Sequence, residues 1–212
     1  MLHSAAINGQ AEIVRELLAR GASVDLANEQ GSTPLMAATQ VGSLELMRLL
    51  LDHSADPNRP TADGVNALMT AAEHNRSEAL SLLLEHGAQT DLVTAEGETA
   101  LMRAAGNGAE RCVAALLGAG ADAGLVSGYG KTALALAEES GHASTQLRLQ
   151  RHDASSTGED GKEPASPPLL PDQLRLDVGG GRRVTVAQGV VRSAADRRRD
   201  SGLRRALFAR DA

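Results

Sequence analysis

The sequence predicts an all-α solenoid, in which helix-turn-helix units with hairpin loops stack side by side, followed by a largely disordered C-terminal tail. Two observations carry this prediction. The same residue types recur every 33 positions over about seven tenths of the chain. The 212 residues also include one Tyr, one Phe and no Trp, although 42% of them are apolar. Because large rings normally fill a thick core, this composition favours many thin layers of Leu and Ala.

The repeat is visible in five columns of identical residues that stay in register without an insertion. The columns are Gly31, Gly64, Gly97 and Gly130; Leu2, Leu35, Leu68, Leu101 and Leu134; Ala5, Ala38, Ala71, Ala104 and Ala137; the pairs Leu17-Leu18, Leu50-Leu51, Leu83-Leu84 and Leu116-Leu117; and Ala22, Ala55, Ala88 and Ala121. A single unit cannot bury its own leucines, so the units must stack to shelter them from water.

Each unit begins with a short Ala-rich helix, which follows a candidate N-cap residue: Thr33, Asn66, Thr99 or Thr132. A break follows, at glycine in every unit except the one with Asn75, the residue type besides Gly that best tolerates left-handed backbone. The second helix is longer, and in three units it ends at a glycine: Gly21, Gly87 or Gly120. Ser54 stands at the corresponding position of the second unit, where left-handed backbone costs about 1–2 kcal/mol relative to Gly.

The two ends of the stack differ from its middle. The first unit lacks its loop and hairpin, which favours a truncated start and predicts three apolar side chains without a shield: Ile13, Val14 and Leu17. The last unit carries three polar residues where inner units carry apolar ones: Thr145, Gln146 and Gln150. These substitutions predict the polar outer face of a terminal cap.

The chain divides into a stack over residues 1–152, a Pro/Ser-rich linker over 153–171 and a basic tail over 172–212. The predicted units of the stack are 1–26 (partial), 28–60, 61–93, 94–126 and 127–152 (capping). The stack holds 10 Lys and Arg against 18 Asp and Glu, whereas the tail holds 10 Arg against 5 Asp. An acidic body therefore precedes a basic end. Alternating apolar residues around Gly179–Gly181 predict a hairpin in the tail.

Cysteine usage and hydropathy indicate the compartment. The single cysteine, Cys112, excludes an intramolecular disulfide and favours a reducing environment. No apolar run approaches the ~18–20 residues that a membrane-spanning helix needs, and the start of the sequence does not resemble a secretory signal. We therefore expect an intracellular protein, cytoplasmic rather than nuclear, without a membrane span.

A family resemblance rests on the segments GSTPLMAA, GVNALMTAA, GETALMRAA and GKTALALAE, with the unit endings GASVD, SADPN, GAQTD and GADAG. Together they resemble the ankyrin repeat over residues 2 to about 152. The resemblance implies a non-catalytic module, without a cofactor, that binds a protein partner through a concave groove of hairpin tips and first helices. One departure is that Met36, Met69 and Met102 replace the His of the Thr-Pro-Leu-His motif, which predicts softer coupling between units.

Carried over by column, the resemblance implies a partner-binding surface at the hairpin tips and along the first helices. Its candidate residues are Glu29, Gln30, Ser32, Gln40, Asp63, Val65, Glu73, His74, Glu96, Glu98, Asn107, Tyr129 and Lys131. The acidic members favour a partner segment that is basic or of mixed charge, and the one aromatic residue is the best anchor candidate. The plainer interpretation is that these are solvated loop residues and that Tyr129 covers the next layer.

The spacing of other reactive side chains argues against metal and cofactor chemistry. His53 and His86 share one column, and helices that lie ~8–10 Å apart do not bring two ligands to one zinc ion. Cys112 falls in a buried column and is expected to be a core thiol. Gly179–Gly181 lacks the Lys-Ser/Thr ending of a phosphate-binding loop. We therefore predict no metal, no cofactor and no catalytic residue.

The tail contains a basic motif with two interpretations: Arg197, Arg198, Arg199, Arg204 and Arg205. It is either a solvated tail or a docking segment for nucleic acid or an acidic partner. Nucleic acid is disfavoured because no aromatic side chains alternate with the arginines. A tail-mediated nucleic-acid binder nevertheless stays open as an alternative function. So does a regulatory or targeting fragment of a larger enzyme or channel, and the oligomeric state is not predicted.

Overall fold

The computed structural model describes residues 1–156 and the short segments 177–178 and 182–183. The chain divides into two units, Met1–Ser166 and Pro167–Ala212, which are described separately. The described residues of the first unit form ten helices: α1 (Leu2–Ile7), α2 (Ala11–Ala19), α3 (Pro34–Val41), α4 (Leu44–Asp52), α5 (Ala67–Glu73), α6 (Ser77–Glu85), α7 (Ala100–Gly106), α8 (Glu110–Gly118), α9 (Ala133–Glu139) and α10 (Ala143–Ser156). The predicted all-α repeat stack is confirmed.

The helices form two layers. The inner helices α1, α3, α5, α7 and α9 contact one another in that order, and the outer helices α2, α4, α6, α8 and α10 do the same. Each inner helix also packs against the outer helix that follows it. One hydrophobic core runs between the layers, and in the described residues it consists of Leu, Ala, Val, Met and Cys without an aromatic ring. Each step of the stack is therefore one helix pair thick.

Side-chain caps start four of the inner helices, as the sequence predicts. The hydroxyls of Thr33, Thr99 and Thr132 and the amide oxygen of Asn66 each accept a hydrogen bond from the backbone N–H three residues later, at 2.9–3.3 Å. Such caps contribute about 0.5–2 kcal/mol each. The boundary of each inner helix is thus set by a residue that the repeat places in the same column.

Left-handed backbone occurs at both predicted kinds of helix break. Asn75 has φ 52° and Ser54 has φ 64°, and they are the non-glycine residues with positive φ among the described residues. Gly42, Gly108 and Gly87 occupy equivalent positions in other units, with φ of 82°, 64° and 82°. The repeat therefore imposes its backbone conformation even where the sequence departs from glycine.

Leucine and methionine columns fill the interior. Leu35, Leu68 and Leu101 are at most 1% exposed. Met69 and Met102, which stand in for the family's His, are also buried. The surviving His3 has its Nε2 atom 3.3 Å from Ser32 Oγ in the next hairpin. Burial, and to a lesser degree the nearby N-terminal charge, lowers the pKa of His3.

The ends of the stack correct two sequence expectations. Val14 was expected to lack a shield but is fully buried, whereas Ile13 is 47% exposed as expected. Thr145 was expected on a polar outer face but is fully buried, and its Oγ1 atom has no hydrogen-bond partner. The reason is that residue 145 shares the buried column of Cys112. Gln146 is half-buried and donates from Nε2 to the Ala137 carbonyl at 3.0 Å, and only Gln150 is exposed.

In the second unit, the strands β1 (Asp177–Val178) and β2 (Arg182–Arg183) pair antiparallel, with Asp177 opposite Arg183 and Val178 opposite Arg182. This pairing agrees with the predicted hairpin over these four residues, and residues 179–181 lie outside the described part of the chain. Residues 153–156 of the predicted linker 153–171 continue α10. The rest of that linker and the Arg197–Arg205 part of the tail, including its predicted disorder, lie outside the described residues.

Candidate functional site

Four hairpins project from the inner layer, one before each of the helices α3, α5, α7 and α9. Each is closed by a backbone hydrogen bond from residue i to residue i+4; the Thr61 N–H donates to the Val65 carbonyl at 2.8 Å, and the other three are equivalent. Successive hairpins pack so closely that a Cβ atom at Gly64 would lie only 2.9 Å from Thr94 Cα. Left-handed φ and this close approach together require glycine at position 64.

The hairpin tips form a row of exposed side chains in equivalent positions: Gln30, Asp63, Glu96 and Tyr129. Backbone hydrogen bonds join three of the hairpins. The Ala95 N–H donates to the Asp63 carbonyl at 2.9 Å, and the Gly128 N–H donates to the Glu96 carbonyl at 2.7 Å. The main chain therefore fixes the order and spacing of Asp63, Glu96 and Tyr129. Tyr129 is 70% exposed.

An ion-pair network on the inner helices is a feature that the sequence reading missed. Arg103 on α7 binds Glu73 of the preceding unit at 2.7 Å, and its Nε atom lies 3.5 Å from Glu98 Oε2 without forming a hydrogen bond. Asn107 adds a hydrogen bond from Nδ2 to the Glu73 carbonyl at 3.3 Å. The Arg103 side chain is 20% exposed. Three candidate residues are thus brought together around an arginine that was not among the candidates.

The remaining candidates are more dispersed. Lys131 is engaged by Glu139 at 2.6 Å. His74 is exposed, and its Nδ1 atom lies 3.0 Å from the Thr70 carbonyl. Val65 packs against the core, and Ser32 is held by His3 as described above. Glu29 and Gln40 are exposed on the first complete unit, and no contact joins them to the network around Arg103.

The charge that this surface presents is smaller than the residue types alone indicate. Glu73 and Glu98 share the positive charge of Arg103, and Glu139 neutralises Lys131. Glu29, Asp63 and Glu96 form no ion pair with any residue in the described part of the chain. Unpaired carboxylates therefore lie at the hairpin tips, and Glu73 and Glu98 together leave one further negative charge beside Arg103.

Alternative reactive groups are accounted for by local structure. The Nδ1 atoms of His53 and His86 lie 2.8 and 2.9 Å from the carbonyls of Leu49 and Leu82, so both rings cap the ends of their own helices. No group of three potential metal ligands occurs within the described residues. Cys112 is fully buried, and burial raises the pKa of its thiol to about 11. The prediction of a core thiol is confirmed.

Two family models match the chain in the part that contains this stack. One describes ankyrin repeats in three copies and matches residues 2–94, and the other describes ankyrin repeats in many copies and matches residues 83–137. The chain belongs to the ankyrin repeat family. Ankyrin repeats are generally protein–protein interaction modules and are typically non-catalytic. A comparison with curated proteins gives no significant match.

Among the helices of residues 1–156, none combines the length and the apolar character that crossing a bilayer requires. The residues that the ankyrin columns place at the tips and inner helices are mostly exposed, as a binding surface requires. Their role in binding stays a prediction.

Proposed function

We propose that the protein is a non-catalytic interaction module, which binds a basic or mixed-charge protein segment along its concave face. The concave face here means the row of hairpin tips together with the exposed inner-helix residues Gln40, Glu73, His74 and Asn107. The observation that carries the proposal is the tip row. Asp63, Glu96 and Tyr129 are exposed on three successive hairpins, and backbone hydrogen bonds join those hairpins.

The spacing of the tip row suggests how such a segment would be recognised. Successive units of a helical stack are ~8–10 Å apart. A segment in the polyproline II conformation rises ~3.1 Å per residue with three residues per turn, so every third side chain lies on the same side, about 9 Å from the last. A basic side chain at every third position would therefore meet each tip in turn. The carboxylates of Asp63 and Glu96 attract Lys or Arg, and the ring of Tyr129 accepts a cation on its face.

The interior of the face suggests mixed charge rather than a purely basic partner. Arg103 and Lys131 contribute two positive charges among the carboxylates, and each is already paired. Exposed ion pairs are worth only ~0–1 kcal/mol each, so several weak contacts would have to add up. Specificity would then depend on the order of charges along the segment.

The test is a titration of the full chain with a labelled peptide that carries Lys at every third position, followed by fluorescence anisotropy. We expect the double variant Asp63→Lys/Glu96→Lys to weaken binding about tenfold, because two attractions become repulsions. Glu98 is left unchanged because its reversal would also disturb Arg103. The matched control is Asp52→Lys, which reverses an exposed carboxylate at the end of the outer helix α4.

Equal affinities for the parent, the double variant and the control would refute the acidic-tip proposal. Capture of partners with the full chain and with residues 1–152 tests the competing functions. Binding that is lost on deletion of residues 173–212 and that falls steeply with salt would instead favour the tail as a nucleic-acid binder. The role as a fragment of a larger enzyme or channel and the cytoplasmic location stay predictions.

A further inference from the structure

A second candidate surface lies on the outer layer, in a groove between α8 and α10. Its volume is about 370 Å³, and Ala114, Leu117 and Leu147 contribute its apolar lining. Leu147 is 48% exposed, so the groove presents an aliphatic side chain to solvent. Such pockets accept anchor side chains of a partner when polar groups surround the apolar centre.

Charged side chains surround this apolar centre. Arg148 donates to Glu110 Oε1 across the groove at 2.8 Å, and Arg151 lines the same groove. The hydrogen bond from Arg148 lowers the pKa of Glu110, so that carboxylate stays ionised. Among the residues that line the groove, two are arginines and one is a carboxylate, so positive side chains outnumber negative ones.

The repeat columns show that this surface departs from the rest of the outer layer. The column of residue 147 is basic or polar in the early units and becomes apolar in the last two: Arg15, Arg48, Ser81, Ala114 and Leu147. The column of residue 151 is basic in the last unit alone: Ala19, Asp52, Glu85, Gly118 and Arg151. Both changes coincide at one groove, on an outer helix of 14 residues where each earlier outer helix has nine.

A groove of nearly equal size elsewhere in the stack provides the comparison. It lies between α4 and α6, has a volume of about 380 Å³, and is lined by Arg48, Glu78, Glu85 and Arg111 among others. Its positive and negative charges balance. Its exposed residues are charged or Ser, and no exposed apolar side chain contributes to it. Groove shape alone is therefore a general property of the stack, whereas an apolar centre with a basic border distinguishes the α8–α10 groove.

We propose that the α8–α10 groove docks an acidic segment of a partner protein that carries one large apolar side chain. The apolar side chain packs between Ala114 and Leu147, and flanking carboxylates face Arg148 and Arg151. Arg148 can accept this role while paired, because a guanidinium has five N–H donors and the bond to Glu110 uses one of them. The segment is opposite in charge to the one proposed for the concave face, so the two surfaces would select different partners.

The experiment uses the full chain and a fluorescent peptide with one Phe between four Glu residues. We expect saturable binding, seen by anisotropy, and methyl NMR shifts at Leu117 and Leu147. Leu147→Ser and Arg148→Gln should each weaken binding at least about fivefold. Arg48→Gln, which removes an exposed arginine from the α4–α6 groove, should leave binding unchanged. Leu147 and Arg148 are both exposed, so circular dichroism should show unchanged folding for both variants.

Several results would overturn the proposal. Absence of saturable binding, shifts confined to the concave face, or equal loss with Arg48→Gln would each do so. A peptide in which Ser replaces Phe must bind more weakly; equal affinity would reduce the site to non-specific charge attraction. Self-association of the chain that Leu147→Ser abolishes, without peptide binding, would identify a second copy as the occupant and refute an acidic partner.

Discussion

Ser54 offers a direct test of how strongly the repeat imposes its backbone. Its φ of 64° is left-handed, and the equivalent residues Gly21, Gly87 and Gly120 have φ of 80–86°. The Ser54 side chain is exposed, and its hydroxyl makes no hydrogen bond to any described residue. Replacing it with Gly therefore removes backbone strain without removing a contact.

Two effects decide the size of the change on Ser54→Gly. Relief of left-handed strain is worth about 1–2 kcal/mol. The greater freedom of Gly in the unfolded chain offsets about 0.4–1 kcal/mol of this gain. We expect a net increase of about 0.5–1 kcal/mol in the free energy of unfolding, measured by urea titration with far-UV circular dichroism. The shift in Tm would be about 1–4 °C for a chain of this size.

The reciprocal variant Gly87→Ser is the control. A Cβ atom at Gly87 would meet nothing within 4 Å, so any loss of stability there comes from backbone conformation alone. The change should lower the free energy of unfolding by about the amount that Ser54→Gly raises it. A destabilised Ser54→Gly, or a Gly87→Ser variant as stable as the parent, would contradict the reasoning.

Three further predictions concern the core. Leu101→Ala should lower the free energy of unfolding by about 2–5 kcal/mol in a urea titration, because Leu101 is 1% exposed. Leu134→Ala in the last unit should lower it clearly less, because Leu134 is half-buried. Equal losses in the two variants would refute the buried-column assignment. The thiol of Cys112 should react with a disulfide reagent only after unfolding in urea, and rapid reaction of the native chain would contradict its burial. Because its folded pKa of about 11 lies above the ordinary 9.0, this thiol favours the folded state below pH 9, and its contribution should be lost between pH 9 and about 11.

The local backbone was predictable because each unit carries capping and turn residues at the same positions. Thr33, Asn66 and Asn75 were recognisable from their columns, even where the residue type changed, since capping and left-handed backbone depend on nearby residues only. The predicted exposure of Thr145 is wrong because position in the repeat, and not polarity, decides burial at this column. Its column, which it shares with Cys112, was the better guide.

The network around Arg103 could not be read from the sequence in the same way. Its partners, Glu73 and Glu98, lie thirty and five residues earlier, in two different units. Which carboxylates an arginine reaches depends on the offset between stacked units, and columns do not reveal that offset. The available signal was Arg103 itself, the one charged residue in a column that otherwise holds Ser4, Ala37, Thr70 and Leu136.

The hydrogen bonds between hairpins have a consequence for how this surface can evolve. The step from Asp63 to Glu96 to Tyr129 is fixed by carbonyl and amide groups of the main chain, which every amino acid except Pro supplies. Substitution at those three positions can therefore exchange one recognised chemical group for another while the distances between them persist. New binding preferences can arise there without renewed selection for folding, because the residues that stabilise the stack occupy other columns.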